Sequence, residues 1–167
     1  MFNQLTQKDI DAMEAEIEER KLVIRPKLLE AVKEARAHGD LSENFEYYAA
    51  KREKNKNESR IRFLERMIKT AEVIPDDSKE DEIGMNNTVE VEFEEDGSVE
   101  TYKIVTTMRG NSLAGLVSVE SPIGKALIGH KVGDRVYVQV NADYGYYLMV
   151  KSIENTKDDG SDKIRSF

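Results

Sequence analysis

The sequence predicts an α+β protein whose first half is an antiparallel helical hairpin and whose second half is a small antiparallel β-sheet with one short helix. Apolar residues recur every three or four positions over much of residues 5–71, the spacing of a helix that packs on one side. An acidic segment with turn-forming residues follows at residues 75–84. Beyond it the apolar residues alternate with polar ones, which indicates half-buried strands.

The composition is that of a protein with a thin core and a large solvated surface. Of its 167 residues, 39% are hydrophobic and 35% are charged, and the net charge is −8. This charge argues against non-specific binding of nucleic acid by the whole molecule. The absence of cysteine excludes disulfides, thiolate zinc sites and a cysteine nucleophile. Residues 1–25 carry no signal-peptide pattern and no segment has membrane-spanning length, so we expect a cytoplasmic protein without membrane contact.

The first helix is expected to begin at Thr6, a favourable N-cap with Leu5 before it and Asp9 in the first turn. Pro26 is expected to kink the helix, and Gly39 to end it. The apolar stripe has spacings of three or four, apart from one seven-residue step. It comprises Ile10, Met13, Ile17, Ile24, Leu28, Val32 and Ala35.

A second helical pattern extends from about residue 40 to residue 71. Its apolar positions are Phe45, Tyr48, Ala49, Ile61, Leu64, Met67, Ile68 and Ala71. Residues 51–62 are almost wholly polar, so this helix needs the first one as a partner. Two helices of about 30 residues would form an antiparallel coiled-coil hairpin about 45 Å long.

The second half begins with a hairpin of strands. Val89, Val91 and Phe93 alternate with glutamates, which predicts a strand. Residues 95–97, Glu-Asp-Gly, form a turn, and residues 99–106 return as a second strand.

A short helix and two further strands follow. Ser121 is the N-cap of the helix, Pro122 its first residue and Gly129 its end. Strands are expected at residues 135–140 and 146–153. The predicted domains are the hairpin at residues 1–74, a linker at 75–86, the sheet domain at 87–154 and a flexible tail at 155–167.

Asp40 and Glu43 lie at the tip of the predicted hairpin. Their spacing is that of a capping box, and spacing alone favours this interpretation. Carboxylate oxygens also suit Mg²⁺, and side chains three apart at a helix start lie about 5–6 Å from each other. Two carboxylates alone would bind magnesium weakly, so another macromolecule would have to complete such a site. The two interpretations do not exclude each other.

Basic residues lie behind the tip: Arg36, Lys51, Arg52, Lys54 and Lys56. A solvated helix face is the default interpretation, and a path for a phosphate backbone is the more specific one. The two histidines, His38 and His130, are far apart in sequence, which argues against a histidine metal site or triad. There is no P-loop or dinucleotide-binding glycine pattern.

Two separate segments resemble signatures of one family. Residues 35–47, ARAHGDLSENFEY, resemble the tip of the bacterial GreA/GreB transcript cleavage factors. Residues 121–129, SPIGKALIG, followed by Val132, Gly133 and Asp134, resemble the second signature of that family. Order, spacing and linker agree, so the resemblance covers nearly the whole chain. The number of basic residues behind the tip is moderate, and this makes the chain more similar to GreA than to GreB.

The resemblance implies a mechanism. An FKBP-like C-terminal domain would dock on RNA polymerase beside its secondary channel, and the coiled coil would enter that channel. Asp40 and Glu43 would be the catalytic pair, holding Mg²⁺ and its attacking water jointly with the polymerase, which then cleaves the displaced 3′ end of a backtracked RNA. The basic residues near the RNA would be Arg36, Lys51 and Arg52. The docking residues would be Ser121, Pro122, Ile123, Gly124, Lys125, Leu127, Gly133 and Asp134.

The chain would then be a monomeric accessory factor and not itself an enzyme, and it would bind no ion tightly alone. Two alternatives remain. A channel-binding inhibitor of the polymerase would share this architecture, although the tip follows the cleavage-factor pattern. The second domain could instead be a prolyl isomerase or chaperone module, but its aromatics Tyr137, Tyr144 and Tyr146 form no pocket that the sequence reveals.

Overall fold

The computed structural model describes residues 3–39, 44–77, 79–158 and 162–165, which divide into two compact units. One unit is a helical hairpin over Lys8–Ala71. The other joins the described residues before Lys8 to those after Ala71, and it contains all the strands found in these ranges. No helix in these ranges is long and apolar enough to cross a membrane.

The first arm of the hairpin is helical throughout, with one irregular turn. It comprises α1 (Gln7–Glu19), a π-helical turn (Arg20–Ile24) and α2 (Arg25–Arg36). Pro26 lies in the first turn of α2 and has no N–H to donate to the helical turn before it. Just before it, the Arg25 N–H donates to the carbonyl of Arg20, the wider bond of a π turn. The irregularity predicted at Pro26 therefore takes the form of a π turn.

The second arm is α3 (Phe45–Lys69), and it is antiparallel to the first. Three bonds across the hairpin show this direction, because residue numbers fall on the second arm as they rise on the first. They join Glu16 to Arg60, Arg25 to Glu58 and Ala35 to Asn44. The helical hairpin predicted from the sequence is confirmed.

The polar middle of α3 packs through charged and amide groups. Arg60 is 8% exposed, and its Nε donates to Glu16 Oε2 at 2.8 Å. Glu16 Oε2 also accepts from Arg20 Nε at 2.7 Å. Asn57 is buried, and its Oδ1 accepts from Arg20 Nη1 at 2.9 Å. This network gives hydrogen-bond partners to most of these buried polar atoms, as burial requires, but Arg60 Nη1 is buried without a partner in the described structure.

The predicted apolar stripe is buried mainly toward the end of the hairpin opposite the tip, and Ala35 is its buried member near the tip. Ile10, Met13, Ile61 and Leu64 are buried there. Three residues predicted for the stripe on α3 are exposed instead: Phe45, Tyr48 and Ala49. The cause is that Asn44 and Tyr47 bond to the first arm at this end, so the helical period places the three positions on the outside.

The second unit contains a two-stranded parallel pair and a five-stranded sheet in the order β5-β4-β3-β7-β6. The strands are β1 (Gln4–Leu5), β2 (Glu72–Val73), β3 (Thr88–Phe93), β4 (Val99–Val105), β5 (Leu116–Ser118), β6 (Arg135–Gln139) and β7 (Gly145–Glu154). In the larger sheet, β3 pairs antiparallel with β4 and β7, and β6 pairs antiparallel with β7.

The pair β4–β5 is parallel, so the prediction of a wholly antiparallel sheet is wrong at this edge. Two 3₁₀ turns, Thr107–Arg109 and Ser112–Ala114, separate these strands. After them, Leu116 lies opposite Lys103, with both strands in the same direction.

The core lies between the larger sheet and α4 (Pro122–Leu127). Its buried residues are Ile83, Val89, Val91, Ile104, Leu127, Val136, Val138, Leu148 and Val150. Ile83 comes from the predicted linker at residues 75–86, yet it is 2% exposed. Its N–H donates to the carbonyl of His130 at 2.9 Å, and its carbonyl accepts from the Gly129 N–H at 2.8 Å. The folded unit therefore begins before residue 87.

The C-terminal segment is bonded to the sheet unit in its described parts, whereas the sequence predicts a flexible tail at residues 155–167. Thr156 Oγ1 donates to the carbonyl of Asn86 at 2.6 Å. Arg109 is buried, and its Nη2 lies 3.4 Å from Asp158 Oδ2, which is also buried. A buried guanidinium needs an anionic partner, and the polar composition of the tail does not reveal this role.

Candidate functional site

The two arms of the hairpin are joined at the tip by Asn44. Its Oδ1 accepts from the Tyr47 N–H at 3.0 Å, so Asn44 is the N-cap of α3. Its Nδ2 donates to the carbonyl of Ala35 at 2.6 Å, near the end of α2. On the other side of the tip, Gly39 has a φ of 109°, a conformation that favours glycine. The helix ending that the sequence predicts at Gly39 therefore lies beside a cross-link between the arms.

The predicted catalytic residues Asp40 and Glu43 lie outside the described residues. The structure does bear on the capping interpretation, because the residue that caps α3 is Asn44 and not Asp40. Asn44 was not among the predicted caps, although an asparagine immediately before a helical pattern is a known cap signal. Within the described residues, no group of three or more histidine or carboxylate side chains is arranged to hold a metal ion.

Two of the predicted basic residues meet at Tyr47. The Arg36 guanidinium lies 5.5 Å from the centre of the Tyr47 ring, and its Nη2 lies 3.4 Å from the hydroxyl. Lys51 Nζ lies 6.0 Å from the same ring, so both cations are within reach of a cation–π contact. The hydrogen bond from Arg36, with the charges of Lys51 and Lys54, lowers the pKa of Tyr47. Arg52 is exposed at the next position of α3.

Tyr47 was not among the predicted site residues, although it contacts two of them. Its spacing of three from Asn44 and four to Lys51 places it beside both on a helix, which is the signal that could have identified it. A second contact is close by, since His38 Nδ1 lies 2.9 Å from Glu46 Oε2 on the exposed surface. The tip is thus bounded by charged side chains from both arms.

The predicted docking segment forms α4 with the expected cap. Ser121 Oγ accepts from the Gly124 N–H at 3.2 Å and donates to the carbonyl of Ser118 at 2.6 Å. A Cβ atom on Gly124 would lie 2.0 Å from the Ser118 carbonyl oxygen, so only glycine fits between α4 and β5. Leu127 is fully buried in the core. Ser121, Gly124 and Leu127 therefore hold the helix in place.

Other members of the predicted docking set are accessible to a partner. Pro122 and Lys125 are exposed on α4, and Ile123 is half-buried. Gly133 is exposed in the following turn, where its φ is 91°. Asp134 closes that turn, because its Oδ2 accepts a hydrogen bond from the Lys131 N–H at 2.9 Å. This bond, together with the hydrogen bond from His130, lowers the pKa of Asp134.

The aromatics considered for an isomerase pocket lie on both faces of the sheet. Tyr137 pairs with Tyr147, with ring centres 4.9 Å apart, and is exposed on one face. Tyr146 packs against the core on the other face. Tyr144 lies 6.2 Å from Tyr146 between ring centres and is exposed. Tyr137 and Tyr146 therefore cannot line one pocket.

Two family profiles match this chain in succession. The profile "Transcription elongation factor, N-terminal" matches residues 3–73, and the profile "Transcription elongation factor, GreA/GreB, C-term" matches residues 78–155. The join between the two matches lies close to the boundary at Ala71 between the two compact units.

Similar proteins cover the chain over most of its length. A transcription elongation factor GreA of Streptococcus thermophilus is 43% identical over 145 residues, which are 86% of this chain and 90% of that protein. One of Macrococcus caseolyticus is 41% identical over 150 residues, 90% of this chain and 94% of that protein. Among solved structures, GreA factor homolog 1 of Thermus thermophilus has 26% sequence identity to this chain and a TM-score of 0.43. The match covers 92% of this chain and 99% of that protein. On its two profile matches and its identity to the two GreA proteins, the chain belongs to the GreA/GreB family of transcription elongation factors.

Proposed function

We propose that this chain rescues backtracked RNA polymerase by stimulating the polymerase to cleave the 3′ end of its own transcript. The observation that carries this proposal is the match of both family profiles, in order, to the two structural units. The chain is an accessory factor in this activity, and the polymerase is the enzyme. It would act in the cytoplasm, where the polymerase works, as a monomer.

The hairpin is suited to carry a chemical group into a narrow channel. The 25 residues of α3 give an arm about 37 Å long. The ion pair of Arg25 with Glu58, at 2.7 Å, and that of Arg60 with Glu16, at 2.8 Å, prevent the arms from sliding past each other. Asn44 holds the arms together at the tip.

Asp40 and Glu43 are the groups that the hairpin would deliver. Two carboxylates three residues apart are hard oxygen donors, which fit Mg²⁺ better than a softer metal. When bound between these side chains and the polymerase, the ion would supply charge neutralisation and an acidified water. The role of the chain is to bring both carboxylates to the RNA together.

Arg36, Lys51 and Arg52 would contact the phosphates of the displaced RNA. Such contacts orient a nucleic acid without reading its sequence, and salt weakens them. Tyr47 supports two of them, since Arg36 and Lys51 both lie next to its ring.

The sheet unit would be the FKBP-like domain that docks beside the secondary channel. Its exposed candidates are Pro122 and Lys125 on α4 and Gly133 in the next turn. Gly124 and Leu127 would act indirectly, by fixing the position of α4.

A transcript cleavage assay on stalled elongation complexes tests the proposal. The full chain should shorten the RNA from its 3′ end in the presence of polymerase and Mg²⁺, and should cleave no RNA without polymerase. Binding to polymerase with inhibition of cleavage would instead identify a channel-binding inhibitor. Turnover of a proline peptide without any effect on cleavage would identify an isomerase.

A further inference from the structure

Two aromatic side chains beside the tip are in contact with water. Phe45, the first residue of α3, is 85% exposed, and Tyr48 is 47% exposed. Residues three apart on a helix are neighbours on one side, with about 5–6 Å between their Cβ atoms. The packing of the hairpin does not account for this exposed pair, since its core lies elsewhere.

Cations lie next to this pair. Arg52 follows Phe45 by seven residues and Tyr48 by four, which places it on the same side of α3. Lys51 and Arg36 lie around the neighbouring Tyr47 ring. In a chain with a net charge of −8, this is a local positive region interleaved with aromatic rings. Single-stranded nucleic acids are bound by this combination, since rings stack on bases while cations contact phosphates.

We propose that Phe45 and Tyr48 stack on the unpaired bases at the displaced 3′ end of the RNA, and that Arg52 contacts the adjoining phosphate. The inference rests on the proposed function, which brings the tip to that RNA end. Glu43 precedes Phe45 by two residues in the sequence, so a base stacked on Phe45 would hold the RNA end at the start of the arm that follows the acidic pair. Phe45 is thus a positioning residue for the RNA.

The test uses the full-length chain and two elongation complexes. The complexes are identical except that the 3′-terminal nucleotide of the RNA either keeps its base or is abasic. Phe45→Ala and Phe45→Leu remove the aromatic ring, whereas Phe45→Tyr retains it. Leu22→Ala is the matched control, because Leu22 is a 67% exposed apolar residue on the first arm.

On RNA with an intact 3′ base, Phe45→Ala and Phe45→Leu should lower the stimulation of cleavage about fivefold or more, whereas Phe45→Tyr and Leu22→Ala should stay within about twofold of wild type. On the abasic RNA, wild type should lose a similar factor and Phe45→Ala should lose nothing further. Thermal stability and binding to polymerase should not change, because the Phe45 ring is in solvent.

An equal loss for Phe45→Ala on both RNAs would show that the ring contacts the polymerase and would overturn the inference. Full activity of Phe45→Ala on both RNAs would overturn it as well. If wild type stimulates cleavage of neither RNA, the proposed function itself fails and the inference falls with it. That result is distinct, because it is seen before any variant is compared.

Discussion

The side-chain amide of Asn44 donates a hydrogen bond to the carbonyl of Ala35 at 2.6 Å. The residue at the start of the second arm is therefore bonded to the last turn of the first arm. The same side chain caps α3 through the Tyr47 N–H. One residue thus satisfies backbone groups on both helices at the point where the hairpin must stay closed.

Asn44→Ala should destabilise the hairpin by about 1–2 kcal/mol, because it removes a cap and a bond between the arms. Asn44→Asp should cost less, since a carboxylate still caps α3 but cannot donate to Ala35. Urea unfolding followed by helical circular dichroism measures both. Asn55→Ala, an exposed change within α3, is the control and should be neutral. Equal stability of Asn44→Ala and wild type would contradict the cross-link.

Asp40→Asn should abolish most of the stimulation of cleavage while leaving stability and polymerase binding unchanged. The amide lacks the negative charge that makes a carboxylate a good magnesium ligand. Stability should survive because Asn44 caps α3. Glu43→Gln should behave alike, and the exposed Glu30→Gln should be active. Raising the magnesium concentration should restore a little activity, and wild-type cleavage by Asp40→Asn would exclude a metal role.

Replacing Arg36 and Lys51 together by alanine should weaken cleavage and flatten its dependence on salt, because phosphate contacts are screened by ions. A salt series of cleavage rates provides the measurement. Lys27→Ala with Lys69→Ala removes the same charge far from Tyr47 and should leave the slope unchanged. A double variant at Arg36 and Lys51 with the wild-type slope would assign these residues to a solvated surface.

Acid should destabilise the hairpin through Glu16. Burial raises the pKa of this carboxyl, but hydrogen bonds from Arg60 and Arg20 outweigh it, so the pKa is below its ordinary value of 4.5. The stabilisation is therefore complete above about pH 4.5 and is lost as the pH falls through the lower folded pKa.

Glu16→Gln should lower stability at neutral pH by about 1–3 kcal/mol and make the acid dependence shallower. Unfolding curves at several pH values would show both effects. Glu18→Gln, an exposed change on the same helix, should retain the wild-type profile. If Glu16→Gln had the wild-type pH profile, the ion pair between Glu16 and Arg60 would not contribute to the stability of the hairpin.

A sheet-unit fragment that starts at Met85 should bind polymerase without stimulating cleavage, and should compete with the full chain. It should be less stable than one starting at Asp76, because it lacks Ile83 of the core, and losing a buried isoleucine side chain costs about 2–5 kcal/mol. Melting temperatures of the two fragments measure this, with Ile83→Ala in the full chain as a check. Binding by a hairpin fragment alone would overturn the division of roles.

Helical and strand periods predicted the hairpin, the main strands and α4 well, because each depends on local spacing and caps. The Ser121 cap and the Gly129 ending are local signals of this kind. The parallel pairing of β5 was not predictable in this way, since it depends on how two turns add together. The burial of Ile83 likewise depends on contacts with Gly129 and His130, which are distant in sequence.

The candidate site was predictable only in part. Family resemblance, and not spacing, identified Asp40 and Glu43, and spacing alone favoured a cap that the structure gives to Asn44. Phe45 has the helical spacing of a packing residue, yet it is exposed, because periodicity does not say where the partner helix ends. The contact of Arg36 with Tyr47 requires both arms and is invisible to either alone.

The fit of Gly124 against Ser118 has a consequence for genetics. A methyl group at position 124 would collide with the neighbouring strand, so substitutions of Gly124 should abolish the function of the factor. Replacing the buried Leu127 by a smaller residue should do the same. Such alleles would resist suppression by second-site changes in the polymerase, because the defect is internal to the factor. Alleles at exposed Lys125 should instead be suppressible by compensating charges on the polymerase. A suppressor screen would thus distinguish the residues of segment 121–129 that hold α4 in place from those that contact the polymerase.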